Sequence, residues 1–149
     1  MPAAQPLTVR LVSFGYKYSG LPKEFHHEAD DGMGGGFVFD CRPLPNPFWE
    51  ESLRHHTGQD AVIRDYMGSQ PQVADFVGHV SALLLLAARN RRTQGRPLLR
   101  AAFGCTGGRH RSVYVAECMR EVLEQAGFQV HLQHIDIRSG RNDPDRTQP

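Results

Sequence analysis

The chain has 149 residues, 40% of them hydrophobic, with 15 Gly, 10 Pro, 3 Cys and a formal net charge of +1. That length predicts one globular, loop-rich domain with a real core, and three cysteines without metal-ligand spacing exclude a disulfide framework. The longest apolar run, Ala82–Ala88, is too short to cross a bilayer, and no charged start followed by an apolar stretch marks a signal peptide. A soluble, cytoplasmic protein with reduced thiols and no membrane contact is therefore expected.

Behind a tail over 1–6, Leu7–Ser13 alternates and reads as a first strand that runs out at Phe14-Gly15. Lys23–Gly36 is polar and glycine-rich, with Glu24, His26, His27, Glu28, Asp30 and Asp31, and reads as a loop or insertion. Gly36–Cys41 is a second short strand, with Asp40 and Arg42 at its exit. Pro43–Gly58 is an irregular excursion. Asp60 is placed to cap a short helix through Met67, and Pro71 starts a longer one through Arg92 with Val73, Phe76, Val77, Val80, Leu83 and Leu84 inward. Pro97–Phe103 reads as a buried strand, Ser112–Gln125 as an amphipathic helix and Gln129–Ile137 as a last strand. The expected fold class is α/β: a small single-domain sandwich with a partly parallel sheet over 7–137, followed by a polar, disordered tail over 138–149.

Between the third strand and its helix lies the most specific segment of the chain. Residues 104–112 read Gly-Cys-Thr-Gly-Gly-Arg-His-Arg-Ser, so Cys105 and Arg111 enclose five residues and Ser112 follows: the C-x5-R-S/T spacing of a phosphate-binding loop in cysteine phosphatases. At such a strand–loop–helix junction, backbone N–H groups and the helix dipole converge on one point. Gly107 and Gly108 can take positive φ, turning N–H groups inward around an oxyanion that the Arg111 fork would grip. His110 is a candidate donor to it, and Arg109 is expected to be exposed. Asp40 and Arg42 at the neighbouring exit are candidates to pair and orient Arg42 toward a ligand. His26, His27 and Glu28, and His55 and His56, lack spacing for one metal ion. His131 and His134, three apart on a strand, fall on opposite faces.

Charge is uneven along the chain. Residues 1–88 hold 6 Lys/Arg against 10 Asp/Glu, and residues 89–149 hold 11 against 6. Arg89, Arg91, Arg92, Arg96 and Arg100 cluster ahead of the anion loop, a pattern that suits an RNA backbone or, equally, an arginine-capped helix end. Phe48 and Trp49 after the prolines read either as a stacking surface or as a rigid connector.

Ser13-Phe14-Gly15-Tyr16-Lys17, Phe39-Asp40-Cys41-Arg42-Pro43-Leu44-Pro45-Asn46-Pro47, Thr57-Gly58 and Gly104–Val113 occur in this order in one family. From Thr8 to Ile137 the chain resembles the C-terminal domain of the RapZ family. That resemblance implies binding of an amino-sugar phosphate, glucosamine-6-phosphate, with Thr106, Gly107, His110 and Arg111 forming the pocket and the Ser13–Tyr18 turn, Lys17 and Tyr18 included, opposite. It also implies a regulatory role and small regulatory RNAs as partners. The candidate binding loop as a whole is Cys105, Thr106, Gly107, Gly108, Arg109, His110, Arg111 and Ser112, with Asp40 and Arg42 as further candidates. The family's N-terminal domain carries a P-loop, and this chain has no G-x-x-x-x-G-K-S/T, so no nucleotide cofactor is carried over. Family members often have Lys-His-Gly where this chain has Lys17-Tyr18-Ser19-Gly20, and Lys23–Gly36 is longer than the family leads one to expect.

Two other readings stay open. In a cysteine phosphatase Cys105 would be the nucleophile, with Asp40 or Asp136 as the acid, although Gly104 stands where that signature has histidine. An interaction module would instead partner a separately encoded P-loop protein.

Overall fold

The computed structural model describes residues 6–26 and 35–140. Most of the expected tail over 1–6, the middle of the Lys23–Gly36 segment with His27, Glu28, Asp30 and Asp31, and 141–149 lie outside the described residues.

Four strands, β1 (Thr8–Gly15), β2 (Phe37–Asp40), β3 (Leu98–Cys105) and β4 (Gln129–His134), form one sheet in the order β2-β3-β1-β4. Every pairing is parallel, so the sheet is more regular than the partly parallel one expected. Parallel neighbours need crossovers. Helices α1 (Ala61–Gly68) and α2 (Pro71–Thr93) connect β2 to β3, and α3 (Arg111–Gln125) connects β3 to β4. All three contribute to one core against Val9, Leu11, Ala101 and Phe103, with Ile63, Met67, Leu84, Met119 and Leu123 buried in it. On the opposite face, Val12, Phe14, Ala102 and Phe25 form a smaller cluster under Tyr16 and Leu21.

The central strands β1 and β3 are buried almost throughout, as apolar runs in a sheet covered on both faces should be. The polar segment after β1 begins with a 3-10 turn, Lys23–Phe25, that drops Phe25 into the smaller cluster. Glu24 beside it takes both Nε and Nη2 of Arg10 from the sheet.

Two expectations are corrected. Asp60 precedes α1 but makes no side-chain cap to it; its carboxylate turns back to accept from the Thr57 N–H at 2.8 Å. β4 stops at His134 rather than Ile137, because Ile135–Gly140 turns back over the sheet end and includes Arg138–Gly140 from the expected tail. The buried Asp136 carboxylate causes that turn. It accepts from the Gly15 N–H at 2.8 Å, the Ser19 N–H at 3.2 Å, Ser19 Oγ at 2.6 Å and Ser139 Oγ at 3.2 Å.

At the end of β1 the chain passes so close to the loop after β3 that a Cβ on Gly15 would lie 2.7 Å from the Gly107 carbonyl carbon. Both sides of that contact are backbone and cannot give way. Gly15→Ala is therefore expected to cost at least about 1–3 kcal/mol, the range for overpacking, read from the urea midpoint. A variant as stable as wild type would show that the two loops separate freely.

Candidate functional site

Because the strands are parallel, their exits lie at one end of the sheet, where open α/β folds place their ligands. A cavity of about 440 Å³, its open mouth included, lies there. It is lined from all four exits: Lys17 and Tyr18 after β1, Asn46 and Phe48 after β2, Cys105–Gly107 and Arg109–Arg111 after β3, and Ser139 after β4.

The loop after β3 is shaped by contacts that leave no room for side chains. Gly108 has φ of +74°, and a Cβ on it would lie 2.6 Å from the Gly15 nitrogen. Gly107 does not use that freedom, since its φ is not positive. A Cβ there would meet nothing within 4 Å, beside the cavity that Gly107 lines. Gly58 of the Thr57-Gly58 pair presses on the loop from outside, its N–H donating to the Arg109 carbonyl at 2.8 Å. Helix α3 then starts at Arg111, directing its positive end at the cavity.

Three consecutive residues carry the electrostatics. Arg109 was expected in solvent, yet only 7% of it is exposed. Its Nε donates to the Ile137 carbonyl at 3.0 Å and Nη2 to the His55 carbonyl at 3.1 Å. Arg111 is as deeply set: Nη1 donates to the carbonyls of Arg42 at 2.6 Å and Leu44 at 3.2 Å, and Nη2 to Thr106 Oγ1 at 3.5 Å. Carbonyls fix both guanidinium groups but do not neutralise them, and among the described residues neither has a carboxylate partner. Each leaves one buried nitrogen without a hydrogen bond, Arg109 Nη1 and Arg111 Nε, and His110 Nε2 between them is also unpartnered. Burial holds His110 below the ordinary histidine value against the backbone groups of His56 and Arg54, so its ring is neutral at pH 7. Unsatisfied buried polar groups are costly, and three consecutive residues that line the cavity each keep one such nitrogen, two of them on charged guanidinium groups.

The remaining sequence candidates divide. Cys105 lines the cavity and donates its thiol to the buried Ser112 Oγ at 3.1 Å, so Ser112 supports the loop from behind. Gly108 touches Gly15 and Asp136 instead of lining the cavity. Asp40 and Arg42 also lie outside the lining. They pair with each other, Arg42 Nη2 to Asp40 Oδ2 at 2.7 Å, and Arg42 stacks 3.9 Å over the Tyr16 ring. That pairing holds the Asp40 carboxyl below its ordinary value, and Asp136 is occupied by the turn, so neither suits a general acid. Gly104 has no space for a side chain: a Cβ would lie 2.5 Å from Phe14 Cζ and 2.6 Å from Tyr16 Cε2. Among the described residues no three His, Cys, Asp or Glu side chains group to hold a metal ion.

Asn46, Phe48 and Ser139 line the cavity without having been singled out for it. Asn46 offered a signal, since an asparagine between two prolines caps the 3-10 turn Pro47–Trp49 by accepting from the Phe48 N–H at 3.1 Å. Ser139 offered none. Phe48 is buried under Arg54, while Trp49 is 63% exposed. The arginine cluster sits at the other end of the sheet: Arg91, Arg96 and Arg100 line a groove with Gly36 and Leu98, Arg89 is exposed, and Arg92 stacks 4.4 Å over Phe128.

A family model described as RapZ C-terminal domain matches residues 7–138. The chain belongs to the RapZ C-terminal domain family. Its RapZ-type relatives include a nucleotide-binding protein of Parafrankia sp. (strain EAN1pec), 43% identical over 136 residues that cover 91% of this chain and 43% of that protein. A nucleotide-binding protein of Frankia casuarinae is also 43% identical, over the same shares of both chains. One from Pseudothermotoga lettingae is 40% identical over 129 residues, 87% of this chain and 42% of that protein. The chain thus spans less than half the length of these curated relatives.

At the end of β4, His134 Nδ1 shares a hydrogen bond of 2.6 Å with Ser13 Oγ, and its Nε2 lies 3.3 Å from Glu117 Oε2. Burial holds its ring below the ordinary value of 6.5, outweighing the attraction of Glu117. His110 and His134 therefore refuse protons that the unfolded chain accepts. Stability is full above the unfolded value and is lost as pH falls through the lowered native ones. Denaturation followed by circular dichroism should show falling stability from pH 7.5 to 5.5, with a shallower fall in His134→Gln. A flat profile would contradict neutral buried rings.

Proposed function

We propose that this domain binds a phosphorylated small molecule, an amino-sugar phosphate such as glucosamine-6-phosphate, as a regulatory ligand and without turnover. One observation carries the reading: Arg109, His110 and Arg111 line one cavity at a helix N-terminus, and each keeps a buried nitrogen without a hydrogen-bond partner. Two fixed guanidinium groups that have no carboxylate partner among the described residues suit a phosphate dianion, and charge-assisted hydrogen bonds are the strong ones. Lys17 at the mouth adds a third cation, while Tyr18, Asn46 and Ser139 offer polar partners to a sugar. Membership of a family whose relatives are named nucleotide-binding proteins agrees with a ligand-binding role.

Calorimetric titration of glucosamine-6-phosphate tests this, with Arg111→Ala and Gly107→Ala as variants. Losing a buried charged contact costs about 2–5 kcal/mol, so affinity should fall at least about 30-fold in Arg111→Ala. That variant also frees the Arg42 and Leu44 carbonyls, so Gly107→Ala is the cleaner probe. Its methyl meets no protein atom, and it should keep the wild-type midpoint yet bind more weakly. Unchanged affinity in both variants, or no binding of phosphate esters by wild type, would sink the reading. Release of inorganic phosphate that Cys105→Ser abolishes would instead favour the cysteine phosphatase.

The groove lined by Arg91, Arg96 and Arg100 supports RNA as a second ligand, at the end of the sheet away from the cavity. Affinity for a single-stranded RNA should fall steeply with salt, and the slope should shrink when Arg91 and Arg96 are replaced by Ala. A salt-independent affinity would remove the backbone contacts this reading needs.

A further inference from the structure

We propose that Cys41 and Cys105 form a disulfide under peroxide, a redox switch in the floor of the binding cavity. Strands β2 and β3 pair with Phe37 beside Ala101, Phe39 beside Phe103 and Asp40 beside Gly104. Past the end of β2, the Cys41 N–H still donates to the Gly104 carbonyl at 2.7 Å. In a parallel ladder that bond continues the register by one residue and sets Cys41 beside Cys105.

The face is fixed as well. Side chains alternate along a strand, so Phe39 and Cys41 share a face, as do Phe103 and Cys105. Phe39 and Phe103 are in contact, their rings stacked at 5.4 Å between centroids. Cys41 and Cys105 are the next pair on that face, and both belong to the core under the helices. Neighbouring strands run about 4.8 Å apart, inside the window of roughly 4.4–6.8 Å that Cα atoms of a disulfide span. Cys118, the third thiol, lies on α3 beside Tyr114 and away from this pair.

Access orders the chemistry. Cys105 lines the cavity, whereas Cys41 is fully buried, with its thiol held well above its ordinary value by that burial. Hydrogen peroxide entering the cavity meets Cys105 first. The Cys105 sulfur attacks one peroxide oxygen, the O–O bond breaks, and a sulfenic acid and one water result. The Cys41 sulfur then attacks the Cys105 sulfur, the S–O bond breaks, and hydroxide leaves with the Cys41 proton as a second water. Two thiols lose two electrons and one peroxide gains them.

The bond alters the site because both cysteines lead into it. Cys105 loses the thiol hydrogen it gives Ser112. Cys41 precedes the Arg42 and Leu44 carbonyls that seat Arg111, and its own carbonyl accepts from the Leu44 N–H at 3.2 Å. Oxidation is thereby coupled to the position of Arg111; this binding consequence rests on the phosphate reading above, and the disulfide itself does not.

The test is to treat the protein with hydrogen peroxide, block free thiols with N-ethylmaleimide, and digest it without reductant for mass spectrometry. The peptide carrying Cys41 should appear joined to that carrying Cys105, in wild type and in Cys118→Ser alike, and dithiothreitol should release it. Glucosamine-6-phosphate binding should be lost in the linked protein and restored by dithiothreitol, while Cys41→Ala should yield no linked peptide. A link through Cys118, or Cys105 oxidised without a link to Cys41, would overturn the disulfide. Linked protein that binds as well as reduced protein would overturn the switch. If reduced wild type binds no phosphate ester, the function reading fails and the linked peptide alone decides this proposal.

Discussion

The contact between the backbone at Gly15 and the backbone at Gly107–Gly108 is the constraint on which the rest of the site depends. It joins the exits of the two central strands, and it exists only because Gly15 and Gly108 carry no side chain. Asp136 fixes the contact from the third direction by accepting from Gly15 and Ser19 at once, which bends the chain after β4 toward the same place. The β1 turn, the loop after β3 and the segment after β4 are thus held as one unit. What remains between them is a cavity with walls from separate strands, and its shape follows from hydrogen bonds far more than from apolar packing.

Within that frame, electrostatics take an unusual form. Buried arginines are ordinarily matched by acids. Here Arg109 and Arg111 are positioned by backbone carbonyls, which supply direction without cancelling charge. The acids nearby are committed elsewhere, Asp136 to backbone and serine donors and Asp40 to Arg42. Among the described residues no acid lines the cavity, which leaves the field of the two guanidinium groups less opposed there.

Much of the architecture was legible in the sequence, because β1 alternates, β3 is apolar but for Arg100, and α2 and α3 carry helical periodicity with clear starts. The C-x5-R spacing placed the loop at a strand–helix junction, and there it lies. What sequence could not show is which side chains point inward. Asp40, Arg42 and Gly108 sit within a few residues of the cavity but contribute a surface ion pair and a backbone contact. Arg109 looks like a solvated loop charge until the His55 and Ile137 carbonyls are brought to it from 54 and 28 residues away. Ser139 enters because Asp136 turns the chain, and that turn is anchored to Gly15 and Ser19 far away in sequence.

The aromatic clamp on Gly104 also constrains how such a loop can change over evolutionary time. Phe14 and Tyr16 occupy the volume that any side chain at that position would need. A lineage could not acquire the histidine that precedes the nucleophile in cysteine phosphatases by a single substitution, since two rings, Phe14 on β1 and Tyr16 just past it, would have to give way with it. The loop can drift among ligands, but the neighbouring chemistry lies several coordinated steps away.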